Sequence, residues 1–149
     1  MFLRPAEVTD VDTMIALGRR MHAESPRFSL MNFDSDKVRA LMVNAIADDR
    51  YFLMIAENDE RDLIGGFVGF MAQHWFSTDQ TAHDIALFVD PDRRGSIVAA
   101  RLVKSFIDWA RGRGAKQINL GISTGVMVEK TAQLYRSLGL KQYGYLFEV

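Results

Sequence analysis

One stretch of the chain carries most of the residue types that could do chemistry: His83-Asp84-Ile85-Ala86-Leu87-Phe88-Val89-Asp90-Pro91-Asp92-Arg93-Arg94-Gly95-Ser96-Ile97-Val98-Ala99. An apolar strand passes through a tight turn into a helix whose first turn holds Arg94, Gly95 and Ser96. Free backbone N–H groups and the positive end of a helix dipole suit such a turn to bind phosphate. Gly95 permits close approach of a ligand to the backbone, and Arg93 and Arg94 supply forked donors. The same residues also make an ordinary solvated turn, so two readings stand at this point. Along the strand, alternation puts Asp84, Ala86 and Phe88 on one face and His83, Ile85 and Leu87 on the other, absent a bulge.

The rest of the sequence must position that stretch. The 149 residues are 48% hydrophobic and 25% charged, which predicts one compact domain spanning 1–149. Without cysteine there is no disulfide, thiolate metal site or cysteine nucleophile. Eighteen basic against 19 acidic residues argue against broad binding to nucleic acid. Three scattered histidines have no ligand spacing, so no metal is expected. An apolar run of roughly 20 residues, the length a membrane span needs, is missing. Arg4 interrupts any leader-like start, so a cytoplasmic protein with no membrane partner is the expectation.

Element by element, Phe2–Arg4 reads as a strand and Thr9 as an N-cap with Asp12 three residues on. Val11, Met14, Ile15, Ala16 and Met21 then form a helical stripe, and Val38, Leu41, Met42 and Ile46 form a second, starting near Asp34 or Ser35. Between them Glu24–Asp34 carries Pro26, Phe28, Leu30, Met31 and Phe33, either folded onto the core or serving as a substrate lid. Tyr51–Ala56, Leu63–Phe76 and Ile85–Val89 read as an antiparallel meander, with Gly65, Gly66 and Gly69 at bulges or close approaches. Val98, Leu102, Val103, Phe106 and Ala110 define the buried face of a helix. Gln117–Ile122 is a strand parallel to the one ending at Val89, Val126–Leu138 a helix, and Gln142–Val149 a last strand. The order β-α-α-β-β-β-α-β-α-β predicts an α+β fold around a mixed, mainly antiparallel sheet.

The first stretch resembles the acetyl-coenzyme A signature of the GCN5-related N-acetyltransferase (GNAT) superfamily, in which Val-x-Pro leads to Arg/Gln-x-x-Gly-x-Gly/Ala. Val89-Asp90-Pro91 stands in the first part, and Arg94, Ile97 and Ala99 occupy the spaced positions. Ala132–Leu140 resembles the family's second signature, and Arg4-Pro5-Ala6 with Thr9-Asp10 its usual opening. The similarity covers essentially the whole chain, and a weaker, less discriminating likeness is to the short members encoded by tailed bacteriophages. It implies a GNAT-like sheet flanked by helices and an acyltransferase that moves acetyl from acetyl-CoA directly to a primary amine. Leu87, Phe88 and Val89 would then offer backbone groups to the pantetheine arm, Arg94, Gly95, Ser96, Ile97, Val98 and Ala99 would cradle the diphosphate, and Tyr135 would protonate the departing thiolate.

By the same resemblance a base or water-positioning carboxylate is expected near Asp84 and His83. An amine of pKa about 10.4 is almost entirely protonated at neutral pH, so it needs such a group. Relatives carry a carboxylate where this chain has Ile85 and Ala86, which leaves the base open: Asp84 and His83 each either serve in catalysis or fill a satisfied structural role. His74 and Trp75 would line an acceptor cleft or belong to the core, and His22 is expected on a helix surface. Ile97 replaces a glycine; its side chain either turns toward the core or crowds the phosphates. Val128, beside Glu129, stands where relatives carry an asparagine, for which Ser123 and Thr124 could compensate or simply form a turn. The rival reading is a non-catalytic binding or virion-associated module of the same fold. The edge of a last strand would suit a homodimer.

Overall fold

The structure is a computed structural model that describes residues 1–95 and 97–149. Among them, strands β1 (Phe2–Pro5), β2 (Tyr51–Glu57), β3 (Leu63–Gln73), β4 (Gln80–Val89) and β5 (Gln117–Asn119) form one sheet in that spatial order. Helices α1 (Val11–Glu24), α2 (Ser35–Ala47), α3 (Val98–Gly112) and α4 (Val128–Ser137) flank it. β1 to β4 pair antiparallel, whereas β5 joins β4 in parallel after the α3 crossover. This is the expected α+β architecture. No helix of the described residues is long and apolar enough to cross a membrane.

The sheet separates two apolar clusters. Val11 and Met14 of α1 and Met42 and Ala45 of α2 meet Ile55, Val68 and Phe88 on one face. On the other, α3 and Tyr135 of α4 meet Phe52, Phe67 and Met71. The α3 stripe behaves as its spacing dictates: Val98, Leu102, Val103, Phe106 and Ala110 are at most 2% exposed, while Arg101, Lys104, Asp108 and Arg111 face solvent. Close approach of α3 depends on β3 glycines. A Cβ at Gly65 would sit 3.2 Å from Val98 Cγ1, and one at Gly69 would sit 2.5 Å from Phe106 Cε2. Gly66, on the opposite face, makes room for the Phe88 ring.

Helix entry is partly as expected. Asp34 caps α2, its Oδ1 accepting from the backbone N–H groups of Asp36 and Lys37 at 3.0 and 3.1 Å. Thr9 does not cap α1. Instead Val8–Asp10 form a 3₁₀ turn, and Asp10 Oδ2 accepts from Glu7 N at 2.7 Å. The reason lies outside the helix. Arg4 on β1 donates to both carboxylate oxygens of Asp10, at 2.8 and 2.9 Å, and to Glu57 Oε1 at 2.7 Å, which commits Asp10 to the sheet rather than to α1.

Hydrogen bonding from Arg4 holds the Asp10 carboxyl below its ordinary value, and Arg61 followed by Arg4 does the same for Glu57. A depressed folded-state value contributes stability that is complete above the ordinary carboxylate range, about pH 4. It is lost as pH falls through the depressed value. Asp10→Asn is therefore expected to be less stable than the parent chain at pH 7 and indistinguishable from it in strong acid. Urea unfolding midpoints across pH 7 to about 2 measure this; a difference that stays constant with pH would contradict it.

Several boundaries differ from the sequence expectation. β4 begins at Gln80, five residues before Ile85, and β3 stops at Gln73. Gln73 pairs with Gln80 and Thr81 Oγ1 donates to Ala72 O at 3.0 Å, so the hairpin closes before His74. Trp75 and Phe76 consequently sit on the turn, 90% and 70% exposed, rather than on a strand. Ala16 is exposed on α1, its place on the stripe taken by buried Leu17. β5 ends at Asn119. The last strand expected at Gln142–Val149 does not form. β5 presents an edge of only three residues, and Gly144 interrupts the β-branched and aromatic run that would have to bind it. Tyr143, Tyr145 and Phe147 stay exposed, and Glu148 pairs with Arg27. The sheet edge is β5, not a sixth strand, which removes the edge on which a homodimer was expected.

Candidate active site

β4 and β5 pair only where Thr81, Ala82 and His83 meet Gln117, Ile118 and Asn119. Beyond that point the Asp84 side chain takes the place of a ladder bond, its Oδ1 accepting from Gly121 N at 3.0 Å. The strands part around it into a cleft of about 630 Å³. One wall is the unpaired edge of β4 from Asp84 to Val89, and the other is Gly121–Thr124. Tyr135, Leu134 and Lys130 of α4 line it, as do Arg20 and Glu24 of α1 and Arg94 and Gly95 after β4.

A bulge decides which β4 side chains see which face. Val68 of β3 faces Ala86, yet its neighbour Gly69 faces Asp84, so Ile85 is the extra residue. The simple alternation expected from sequence is therefore broken. Asp84 shares its face with Leu87, opposite Gly69 and Phe67 and toward α3 and α4. It does not share one with Ala86 and Phe88. His83 turns to the other face, stacks on Phe70 with centroids 5.3 Å apart, and exchanges a hydrogen bond between Nε2 and Thr81 Oγ1 at 2.8 Å. Burial, then the nearby His74, lowers its pKa. His83 is not among the residues lining the cleft.

Asp84 and Tyr135 are brought together through the backbone of one residue. Gly121 N donates to Asp84, and Gly121 O accepts from Tyr135 Oη at 3.3 Å. Burial raises the Asp84 carboxyl, partly offset by the Gly121 N–H. Burial, and secondarily the Asp84 charge, pushes the Tyr135 hydroxyl far above its ordinary value. At neutral pH the tyrosine is thus a neutral donor, and the carboxylate is a stronger base than an exposed aspartate. The arrangement can accept one proton and deliver another within a partly desolvated cleft.

The arginine-rich turn is built by Asp90, whose side chain accepts from Asp92 N at 3.1 Å, and by Pro91 at the start of a 3₁₀ turn. Gly95 has φ +82°, where a side chain would be strained. Leu87, Phe88, Val89, Arg94, Gly95 and Ala99 all line the cleft. Ser96 lies outside the described residues. Val98 is buried in the core beneath. The Ile97 side chain does not turn toward the core: it is 65% exposed at the N-cap of α3 and is not among the residues lining the cleft.

The Glu24–Asp34 stretch is folded against the Ser123–Thr124 segment. Ser25, fully buried, donates to Thr124 O at 2.5 Å, and Arg27 donates to Ser123 O at 2.8 Å. Phe28 lines the cleft, whereas Leu30 and Met31 are exposed. Ser123 and Thr124 also line it, held by these carbonyl contacts and by a turn bond from Val126 N to Thr124 Oγ1. His22 is half-buried and bonds Met31 O at 2.6 Å. Val128 is exposed, and Glu129 pairs with Arg136 at 2.9 Å on the surface of α4. His74 and Trp75 lie outside the cleft. Sequence reasoning missed Gly121, whose signal was a lone glycine after a strand, and Glu24, which had no local signal. Nor did it anticipate Met127, a cleft residue at φ +48° that opens α4. No group of three acidic or histidine side chains among the described residues could hold a metal ion.

Compared with known proteins, residues 19–140 match the sequence model of the acetyltransferase (GNAT) family. Solved structures agree at the level of the fold. A glucosamine-6-phosphate N-acetyltransferase from Arabidopsis thaliana superposes with TM-score 0.76 at 14% identity, over 99% of this chain and 96% of that one. An aminoglycoside 6'-N-acetyltransferase from Acinetobacter haemolyticus gives 0.76 at 15%, over 100% and 97%. A transcriptional regulator from Bacillus halodurans gives 0.78 at 18%, over 99% and 97%. By sequence, no curated protein matches.

Proposed function

The chain belongs to the acetyltransferase (GNAT) family, and from that premise we propose that it transfers an acetyl group from acetyl-CoA directly to a primary amine. The observation that carries this reading is the Asp84–Gly121–Tyr135 bridge beside the unpaired edge of β4. Acetyl-CoA supplies an activated carbonyl and a thiolate leaving group. The free backbone groups of Asp84–Val89 suit the amides of an extended pantetheine arm, as an added strand would. Gly95, Ala99 and Arg94 line the cleft, which supports the reading that they would hold the diphosphate. Arg93 also lines the cleft, whereas Ile97 and Val98 would take part through their backbone.

In this reading Asp84 takes the proton from the acceptor ammonium, leaving a neutral nitrogen to attack. Backbone N–H groups of β4 meet the negative charge that develops on the carbonyl oxygen. Tyr135 gives its hydroxyl proton to the departing sulfur, and the phenolate left behind takes the second proton that the nitrogen sheds as the amide forms. Asp84 is the base in preference to His83, whose side chain faces away from the cleft.

Thermal unfolding with ligand tests the proposal. Acetyl-CoA at a hundred times its Kd should stabilise the protein by about 2.7 kcal/mol, and acetyl-pantetheine, which lacks the diphosphate, by much less at equal concentration. No shift at millimolar acetyl-CoA would refute it. Binding without release of free thiol across a panel of polyamines, aminoglycosides, amino acids and peptide amines would favour a non-catalytic module, the reading to which Ile97 and the open choice of base point.

A further inference from the structure

Two ion pairs stitch the last turns of α1 to the connection between β4 and α3. Arg20 approaches Asp90 at 3.5 Å. The second pair is closer and two-pronged: Arg94 Nη1 donates to Glu24 Oε1, and Nη2 donates to Glu24 Oε2 at 2.5 Å. Both partners line the cleft, and their side chains are 23% and 35% exposed. Seventy positions separate them, so nothing local makes the pair. Glu24 is the last residue of α1, where the negative end of the helix dipole disfavours an acid. Its own helix does not reward the carboxylate. Arg94 does, its hydrogen bonds lowering the carboxyl from its ordinary value.

A guanidinium fork accepts one planar, two-oxygen partner along that edge. The fork of Arg94 is aimed at the carboxylate, in the very turn whose Gly95 leaves the backbone open. We propose that Glu24 is an internal competitor for the diphosphate of acetyl-CoA: it occupies the Arg94 fork in the free protein and lowers cofactor affinity until displaced. The inference rests on the acetyl-CoA reading above and assigns Glu24 a role in setting affinity, not in the chemistry. A ligand whose competent state is only a fraction of the molecules binds more weakly by that fraction. Removing the competitor therefore tightens binding, the reverse of what loss of a cleft side chain ordinarily does.

Calorimetric titration of acetyl-CoA into the parent chain, Glu24→Gln, Arg94→Gln and the double variant tests this. Glu24→Gln is expected to lower Kd by about three- to fivefold, the upper end of the scale of a partly exposed ion pair. Glu24→Ala, which cannot pair at all, should move Kd in the same direction. Arg94→Gln should raise it, and in that background Glu24→Gln should change Kd by less than about twofold, since no fork remains to compete for. Acetyl-pantetheine should bind the parent and Glu24→Gln alike. Unchanged or weaker acetyl-CoA binding by both Glu24 variants overturns the inference while leaving the acetyl-CoA reading intact. An equal gain with and without Arg94 also overturns it, since simple repulsion would then explain the effect. Absence of acetyl-CoA binding in all four proteins removes the acetyl-CoA reading and this inference with it.

Discussion

Tyr135→Phe is expected to lower kcat by about 100-fold or more while leaving the Kd for acetyl-CoA within about twofold. A positioned general acid contributes on the order of 10²–10⁴ to rate, and the hydroxyl is the one part of the residue that can supply a proton. The ring itself is structural: Tyr135 is 7% exposed within the cluster of Phe67, Leu102 and Phe106. Phenylalanine keeps that packing. It loses only the 3.3 Å bond to Gly121 O, a contact worth about 1 kcal/mol at most. Steady-state kinetics together with equilibrium binding separate the two effects. An unchanged kcat would remove Tyr135 from the mechanism, and a parallel loss of binding would make it a packing residue.

Gly69→Ala should be the most damaging small substitution in the sheet. Its Cβ would stand 2.5 Å from Phe106 Cε2 and 2.9 Å from His83 O. The first neighbour is fully buried and stacked on Phe67 at 4.6 Å, so it cannot swing aside. The second is backbone. Overpacking of this kind costs about 2–3 kcal/mol, which for a chain of this size lowers Tm by about 5–10 °C. The site should suffer with the fold, because the crowded carbonyl belongs to the residue before Asp84, at the bulge. Gly112→Ala is the control. Nothing lies within 4 Å of the added Cβ at the end of α3, and helix propensity there should make the change neutral or stabilising by up to about 1 kcal/mol. Chemical denaturation of both variants decides the matter; equal stabilities would contradict the close-approach role of Gly69.

Local patterns were readable wherever one element's own chemistry sufficed. The α3 stripe, the Asp34 cap, the β3 glycines and the parallel crossover from β4 to β5 all follow from residue spacing. Errors arose where a distant partner outbid the local signal. Asp10 is drawn away by Arg4, so Thr9 does not cap α1. The tail from Gln142 has strand-forming residues, but β5 offers it almost no edge.

The candidate site divides in the same way. Arg94 and Gly95 stand out by type within one turn, and Tyr135 through the family resemblance; anion binding by the turn and proton donation by the phenol are the roles proposed for them. Their pairing does not follow from sequence. A single extra residue, Ile85, turns Asp84 toward Tyr135 and leaves His83 on the far face, and periodicity alone cannot reveal a bulge, since it depends on two strands keeping register with each other. Glu24 meets Arg94 across 70 residues for the same reason. The one-dimensional pattern determined which groups this protein has and which elements carry them. Only the tertiary structure, by bringing remote backbones within hydrogen-bond reach, decided which of those groups face one another.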